Sequence, residues 1–241
     1  MNVRAIKTRK VKERDDILDL LDKSLKSVKN GSIIAISSKI VSLCEGRTAD
    51  LKSEKDQLIK SEADKYVPRE KNKHKLMITI KLGNLIFASG IDQSNSNGKY
   101  VLWPLDPNKS AKQLQTYLKK KLRLKKLGVI ITDSKTLPLR KGIIGFALAH
   151  FGFKALKDYR GTKDIYGRKM KISVANVADA IAACAVAQMG EGNEQTPIAV
   201  ISDIDFVKFA EAQVDLSVKP NEDAYHTILN HKAWKKGNQS G

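Results

Sequence analysis

Apolar residues change along the chain from a helical to a strand-like spacing. Over residues 15–28 they recur every three or four positions, which predicts an amphipathic helix that stops at Asn30-Gly31. Residues 32–36 form a short apolar run, which predicts a buried strand. The polar residues Ser37, Ser38 and Lys39 then predict a bend or loop at the end of that strand.

The later elements continue this irregular order. They are a surface helix over 53–66, a hairpin of strands 76–80 and 85–89, a basic helix over 110–127, a buried strand over 128–132, an apolar helix over 173–189 with Gly190 as its cap, a strand over 197–201 and two helices in the tail from Asp203. Such an order predicts an α+β (mixed α/β) fold without the regular alternation of a Rossmann fold, and no P-loop sequence is found. We expect one catalytic domain over residues 1–241, with 203–241 as a helical tail.

The chain is strongly basic, with a formal net charge of +18. Its densest basic run lies at 118–127, where leucines recur at helical spacing. This run is either the solvated face of a packed helix or an anion-binding patch. Aromatic residues make up 6% of the chain, and no nucleic-acid-binding motif is found, so charge alone does not indicate a nucleic-acid partner.

Nothing in the sequence indicates a membrane segment or a disulfide framework. Residues 1–14 are polar and basic throughout, and the apolar stretch 174–189 is interrupted by Asn176 and Asp179. Of the two cysteines, Cys44 and Cys184, the second lies in an alanine-rich run and is predicted to be a small core residue. We expect a soluble protein of the cytoplasm.

Two polar clusters follow predicted strands. Asp92 and Asn95 lie in a turn, where both side chains can face a ligand or, equally, an Asx turn can satisfy its own backbone. Asp133 and Ser134 follow the buried strand 128–132, at the place where ligands bind in open α/β sheets. A carboxylate beside a hydroxyl suits a hard divalent cation, but the same pair also makes a helix cap or a turn.

Three further clusters carry charge among glycines. They are a cationic turn at 138–142, a mixed segment at 158–168 and an acidic loop at 189–194. Taken together, aspartates, an acidic loop and many cations describe a site for a metal-bound polyphosphate, with scattered surface polarity as the alternative.

The order of these clusters is that of one known family. It runs through Ser38-Lys39-Ile40-Val41-Ser42, Glu45-Gly46-Arg47, Gly90-Ile91-Asp92-Gln93-Ser94-Asn95, Asp133-Ser134, Pro138-Leu139-Arg140-Lys141-Gly142, Asp158-Tyr159-Arg160-Gly161, Asp164-Ile165-Tyr166-Gly167-Arg168, Ala178-Asp179 and Met189-Gly190. Over about residues 30–202 the sequence resembles the coenzyme F-420:L-glutamate ligase family, the nucleotide-dependent γ-glutamyl ligases that lengthen the tail of a deazaflavin cofactor.

The resemblance implies a fold, a reaction and its cofactors. The implied fold is α+β without a P-loop, in an intertwined homodimer. The implied reaction uses GTP (or ATP), Mg or Mn and a monovalent cation such as K to join L-glutamate to a carboxylate of the acceptor through an acyl phosphate. Substrates of this kind are small anions, which a basic protein suits.

Site residues also follow from the resemblance. It implies metal ligands at Asp92, Asp133, Ser134 and Glu191, with the two aspartates sharing one cation. It implies nucleotide contacts at Ser38, Lys39, Asn95, Met189 and Gly190. Arg140 and Arg160 are candidates to hold the acceptor or the incoming glutamate, because guanidinium binds carboxylate in a bidentate way, or else they pair with Asp158 or Asp164.

Two departures from the family leave the acceptor and the nucleotide open. Leu43 stands where the family often has a nucleotide-contacting lysine, and 135–140 replaces the Phe-Gly-Arg-Pro-Trp-Arg stretch usual in deazaflavin ligases. The loop is similar to that of relatives thought to glutamylate folate, so a folate acceptor is an alternative. A non-enzymatic nucleic-acid-binding protein that uses the face from Lys119 to Lys126 is the second alternative.

Overall fold

The computed structural model describes residues 1–229 and 232–237, and over these residues the chain forms thirteen strands and six helices. The strands are β1 (Asn2–Ile6), β2 (Ser32–Ser37), β3 (Thr48–Asp50), β4 (Lys65–Val67), β5 (Ile78–Lys81), β6 (Asn84–Phe87), β7 (Lys99–Val101), β8 (Leu127–Thr136), β9 (Ile143–Phe151), β10 (Leu156–Asp158), β11 (Val174–Asn176), β12 (Ile198–Ser202) and β13 (Lys235–Lys236). The helices are α1 (Ile17–Ser24), α2 (Ser38–Glu45), α3 (Lys55–Glu62), α4 (Pro107–Lys121), α5 (Val177–Met189) and α6 (His226–Leu229).

The described residues divide into two compact units. The first comprises Met1–Cys44 and Pro104–Val214, and the second comprises Glu45–Trp103 and the described part of Asp215–Gly241. The mixture of helices and sheets confirms the predicted α+β class. The division does not test whether residues 1–241 act as one catalytic domain, which stays a prediction.

A five-stranded sheet organises the first unit, with the order β1-β12-β2-β8-β9. Strands β2 and β8 run parallel, paired from Ser32 with Leu127 to Ser37 with Thr132, and the other neighbours are antiparallel. The apolar side chains of β2 are buried on both faces of the sheet, as its continuous apolar run predicts. Strands β8 and β9 continue past the carboxyl end of β2. There they form a two-stranded ribbon that extends beyond the other strands of the sheet.

Helices α4 and α5 both pack on this sheet. Helix α4 begins at Pro107, and the Asp106 side chain accepts a hydrogen bond from the Lys109 N–H at 2.9 Å, which makes Asp106 the N-cap. The helix buries Ala111, Leu114 and Leu118, and most of its lysines stay on the exposed side. The lysines of α4 thus lie on a solvated helix face, and an anion-binding role for the run 118–127 stays an alternative. Helix α5, apolar over most of its length, contacts β1, β8, β9 and β12.

The second unit contains two small sheets. One has the order β13-β4-β5-β6 and the other pairs β3 with β7. Its apolar core consists of Ile59, Met77, Ile91, Tyr100 and Leu102. The β5–β6 hairpin confirms the one predicted at 76–89, with shorter strands.

Several local predictions differ from the structure. The bend predicted at Ser37-Ser38-Lys39 is wrong, because α2 starts at Ser38 without an intervening loop. Helices α1 and α5 are shorter than predicted, and the basic helix ends at Lys121 instead of continuing to 127. The core position predicted for Cys184 is also wrong, since that cysteine is exposed. In the described part of the tail the only helix is α6, and residues 230, 231 and 238–241 lie outside the described residues.

Candidate active site

The carboxyl ends of the parallel strands β2 and β8 bring two predicted segments together. Ser37 of β2 pairs with Thr132 of β8. Ser38 and Asp133 directly follow this pair along the chain. Ser38 is buried and opens α2, followed by Lys39. Asp133 and Ser134 are partly buried and lie within β8, not in a loop after it. A carboxylate, two hydroxyls and an ammonium-bearing residue therefore share one edge of the sheet, where ligands bind in open sheets.

Close packing of α5 on β9 brings the end of that helix to the same edge. Gly145 pairs with Ser134, and a Cβ added at Gly145 would lie 2.5 Å from the Val186 Cβ. Only glycine allows this approach. Three residues after Val186, α5 ends, and Gly190 takes the positive φ of 80° and donates its N–H to the Val186 carbonyl at 2.9 Å. Gly190 thus ends the helix with a positive φ, but its ψ of 169° differs from the left-handed helical conformation that was predicted.

Glu191, just after this cap, contacts the β8 segment directly. The Ser134 hydroxyl donates a hydrogen bond to a carboxylate oxygen of Glu191 at 3.3 Å. The following loop is tied to β2, because the Ser37 N–H donates to the Pro197 carbonyl at 2.9 Å. Ser134 and Glu191 are 57 residues apart in the chain, so their contact depends entirely on the fold.

The other end of α5 is fixed to β9 by Asp179. One carboxylate oxygen accepts from the Ala147 N–H at 2.9 Å, and the other accepts from the Asn176 side-chain amide at 2.8 Å. The Asn176 side chain in turn caps the helix by accepting from the Asp179 N–H. Asp179 therefore holds the helix that carries Met189, Gly190 and Glu191 in register with the sheet.

At this edge of the sheet, Met189 and Gly190 offer mainly backbone groups for contact with a ligand. The Met189 side chain is buried, and its carbonyl accepts a hydrogen bond from the Thr196 hydroxyl. Any nucleotide contact at these two residues thus falls to the backbone or to the small exposed surface of Gly190.

Asp92 and Asn95 lie in the second unit, in a loop that is held to β7. The Asp92 N–H and carbonyl both bond to Val101, at 3.0 and 2.8 Å. Its carboxylate accepts from the N–H groups of Gln93 and Ser94, at 2.6 and 2.8 Å, and from the Ser94 hydroxyl. This is the Asx-turn geometry that the sequence left open, and it leaves the ligand role of Asp92 a prediction.

The loop before Asp92 is packed tightly. Gly90 has a φ of 71°, and a Cβ there would lie 2.2 Å from the Trp103 indole nitrogen. Trp103 is itself fully buried. Asn95 adopts the left-handed conformation with a φ of 51°, which asparagine tolerates better than most residues.

The two candidate arginines have different surroundings. Arg140 lies in the exposed turn that joins β8 to β9. Arg160 follows β10 and forms a bidentate pair with Asp158, with N–O distances of 2.6 to 3.0 Å. That guanidinium lowers the pKa of Asp158 to about 2. Arg160 thus has the carboxylate partner that was the predicted alternative to substrate binding, and its substrate role stays a prediction.

Lys135 is a residue of this edge that received no role from the sequence. Its ammonium lies 4.3 Å from the centroid of the Phe146 ring. Burial lowers the pKa of Lys135, and the charge of Asp179 opposes this shift. Sequence inspection could have singled it out only as a lysine directly after Asp133-Ser134.

The predicted metal ligands come from both units. Asp133, Ser134 and Glu191 belong to the first unit and Asp92 to the second, so a cation shared by Asp92 and Asp133 stays a prediction. Within the described residues, no group of three or more His, Cys, Asp or Glu side chains is placed to hold a metal ion. The described helices also include none that is long and apolar enough to cross a membrane.

Comparison with known proteins gives a consistent result. The sequence matches the family described as F420-0:Gamma-glutamyl ligase over residues 5–203, a range that starts earlier than the resemblance, at the end of β1. It is 35% identical over 207 residues to the coenzyme F420:L-glutamate ligase of Archaeoglobus fulgidus, covering 79% of this chain and 82% of that protein. It is 32% identical to the ligase of the same name from Methanopyrus kandleri, covering 80% and 82%, and 33% identical to that from Methanocaldococcus jannaschii, covering 81% and 84%.

Proposed function

The chain belongs to the F420-0:Gamma-glutamyl ligase family, and from this premise we propose that it joins L-glutamate to a carboxylate of a deazaflavin cofactor precursor, at the expense of GTP or ATP. The observation that supports this most is the group of side chains at the carboxyl ends of β2 and β8, in which Ser134 contacts Glu191.

The proposed reaction has two steps. A carboxylate oxygen of the acceptor attacks the γ-phosphorus, the bond to the nucleoside diphosphate breaks, and an acyl phosphate forms. The amine of L-glutamate then attacks the acyl carbon, phosphate leaves, and the amine nitrogen releases a proton to complete the amide. The enzyme's part in the first step is to position the reactants and to neutralise charge.

Ser38 and Lys39 are proposed to bind the nucleotide. They form the start of an eight-residue helix, and the free N–H groups of a helix start attract phosphate oxygens. The Lys39 ammonium adds a positive charge for the same phosphates. Asn95, Met189 and Gly190 are proposed as further nucleotide contacts, on the strength of the resemblance.

The oxygen donors at this edge fit a hard divalent cation. The Glu191 carboxylate lies within hydrogen-bond distance of the Ser134 hydroxyl, and Asp133 is adjacent in the chain. Carboxylate and hydroxyl oxygens are suitable ligands for Mg or Mn, so we propose Asp133 as a ligand of one cation and Ser134 and Glu191 as ligands of a second. When bound, such a metal neutralises charge on the phosphoryl group being transferred. Asp92 and a potassium ion are assigned by resemblance and need tests of their own.

Arg140 and Arg160 are proposed to bind the carboxylates of the acceptor and glutamate. For Arg160 this requires exchange of its pair with Asp158, which is exposed and therefore costs little to break. The family also implies a homodimer, which sedimentation of the purified protein would test.

One assay separates the candidate functions. The purified chain is given GTP or ATP, Mg or Mn, L-glutamate and either the deazaflavin precursor or a folate, and products are read by mass. We expect added glutamates on the deazaflavin acceptor, with one phosphate released for each, and only when metal and glutamate are both present. Products on folate alone would support the folate alternative, which the altered stretch 135–140 favours. No product on either acceptor, together with steeply salt-dependent duplex binding, would favour a nucleic-acid-binding protein.

A further inference from the structure

Lys135 carries a positive charge in a partly buried position, where the charge of Asp179 acts on it without forming an ion pair. In the described part of the chain its ammonium makes no ion pair or hydrogen bond, and its close neighbour is the ring of Phe146. The buried Lys81 contacts Glu62, and the partly buried Lys119 contacts Glu211. A shielded charge is usually paired or bound to a ligand, because removing it from water is costly. The ring contact offsets only part of that cost.

The position of Lys135 on the ribbon indicates what such a ligand is. Side chains alternate along a strand, so Lys135 and Asp133 share one face of β8 and Ser134 points to the other. Lys135 pairs with Ile144, which is 43% exposed, so the ribbon is open to solvent at this point. A ligand can therefore reach the ammonium from the solvent side.

Distance along the strand places Lys135 beyond the proposed nucleotide contacts. The pairing of β2 with β8 ends at Thr132, next to Ser38. Lys135 is three residues further out, roughly 10 Å along the strand, with Asp133 in between. In an in-line phosphoryl transfer the attacking group approaches the γ-phosphorus opposite to the leaving nucleotide. If the nucleotide binds at Ser38 as proposed, an acceptor that approaches opposite to it would come from the side of Asp133 on which Lys135 lies.

We propose that Lys135 is an acceptor-binding residue, whose ammonium holds an anionic group of the acceptor next to its reacting carboxylate. This inference rests on the proposed function and adds to it a determinant of acceptor specificity. An anionic acceptor would exchange water at the ammonium for an ion pair, whereas a neutral acceptor would leave the charge without a partner.

The test compares Lys135→Met and Lys135→Arg with Lys112→Met. Lys112 is a matched control in the same unit, because its ammonium also lies over a phenylalanine ring, that of Phe151, but on the exposed face of α4. KM for the acceptor is measured at saturating nucleotide and glutamate, with the acceptor that the wild-type protein uses. Urea unfolding midpoints show that each variant is folded.

We expect Lys135→Met to raise the acceptor KM roughly ten- to a hundredfold, the usual worth of a hydrogen bond to a charged group. In the same variant, KM for nucleotide and for glutamate should change less than about twofold. Lys135→Arg should recover part of the affinity for the acceptor, and Lys112→Met should have the acceptor KM of the wild type. An unchanged acceptor KM, or an equal rise in the nucleotide KM, overturns the role of Lys135 while the ligase function stands. If the wild-type protein glutamylates neither acceptor, the proposed function fails, and this inference fails with it.

Discussion

Replacing Glu62 by glutamine would disturb a charge network inside the second unit. The Glu62 carboxylate accepts hydrogen bonds from the Arg47 guanidinium at 2.7 and 2.9 Å and from the Lys81 ammonium. The Lys81 side chain is 8% exposed and that of Glu62 is 16% exposed. Arg47 also donates to the Trp103 carbonyl, and Lys81 lies 5.5 Å above the Trp103 ring, against which Gly90 packs.

The expected cost of this substitution follows from burial. Removing one partner of a buried ion pair costs about 3 to 5 kcal/mol, because the remaining charge stays buried without compensation. Since Arg47 is 25% exposed and water can reach part of the network, we expect the low end, about 3 kcal/mol, for Glu62→Gln. Lys81→Met should cost less, because Arg47 still pairs with Glu62.

The cost should also depend on pH. Burial alone would raise the pKa of Glu62, but its bonds to Lys81 and Arg47 outweigh burial, and the pKa is lowered from its ordinary value of 4.5. The unfolded chain therefore binds the proton more readily than the folded one, and the stability that Glu62 contributes is fully present above pH 4.5 and is lost as the pH falls through the folded value. The gap between wild type and Glu62→Gln should narrow in acid.

Urea unfolding at pH 7, followed by tryptophan fluorescence, measures this cost. Glu70→Gln, an exposed glutamate in the same unit, is the control and should behave as wild type. The double variant of Glu62→Gln with Lys81→Met should lose less stability than the sum of the single variants. A loss below about 1 kcal/mol for Glu62→Gln, or simple additivity, would refute the view that this network stabilises the unit.

Two further predictions concern the first unit. Gly145→Ala would place a methyl group against Val186, so we expect the free energy of unfolding in urea to fall by about 1 to 3 kcal/mol. Ligase activity should also fall, because the end of α5 would move away from Ser134. An unfolding midpoint equal to that of the wild type would contradict this packing. The Asp158 carboxyl should titrate by NMR with a midpoint of about 2, and Arg160→Ala should return it towards 3.8; a wild-type midpoint near 3.8 would show that the pair does not form in solution.

The sequence was most informative where structure is set locally. The apolar runs of β2 and β12 identified these strands, because a strand buried on both faces must be apolar throughout. Strand β1 was missed, since Arg4 and the neighbouring polar residues of this edge strand give no continuous apolar run. The sequence does not predict strand β9 either, because no local signal shows that the apolar run 143–151 pairs back onto β8.

For the candidate site, too, the sequence predicts the features that are set locally and not those that depend on tertiary packing. The apolar run before them predicts Asp133 and Ser134 at the end of a buried strand, and in the structure they lie within β8, beside the carboxyl end of β2. That β8 continues through them depends on pairing with β9, which is a tertiary property. The contact between Ser134 and Glu191 depends on Gly145 and on the packing of α5, so it was accessible only through family resemblance.

In the proposed reaction, the side chains at the carboxyl ends of β2 and β8 bind the metal and carry out the transfer. The most direct measurement is the initial rate of glutamate addition against Mg concentration for Asp133→Asn, beside Asp205→Asn as an exposed control in the same unit. We expect Asp133→Asn to lower the rate on the order of a thousandfold, with an unchanged unfolding midpoint, and Asp205→Asn to match wild type. Wild-type turnover by Asp133→Asn at the same Mg concentration would contradict this proposal.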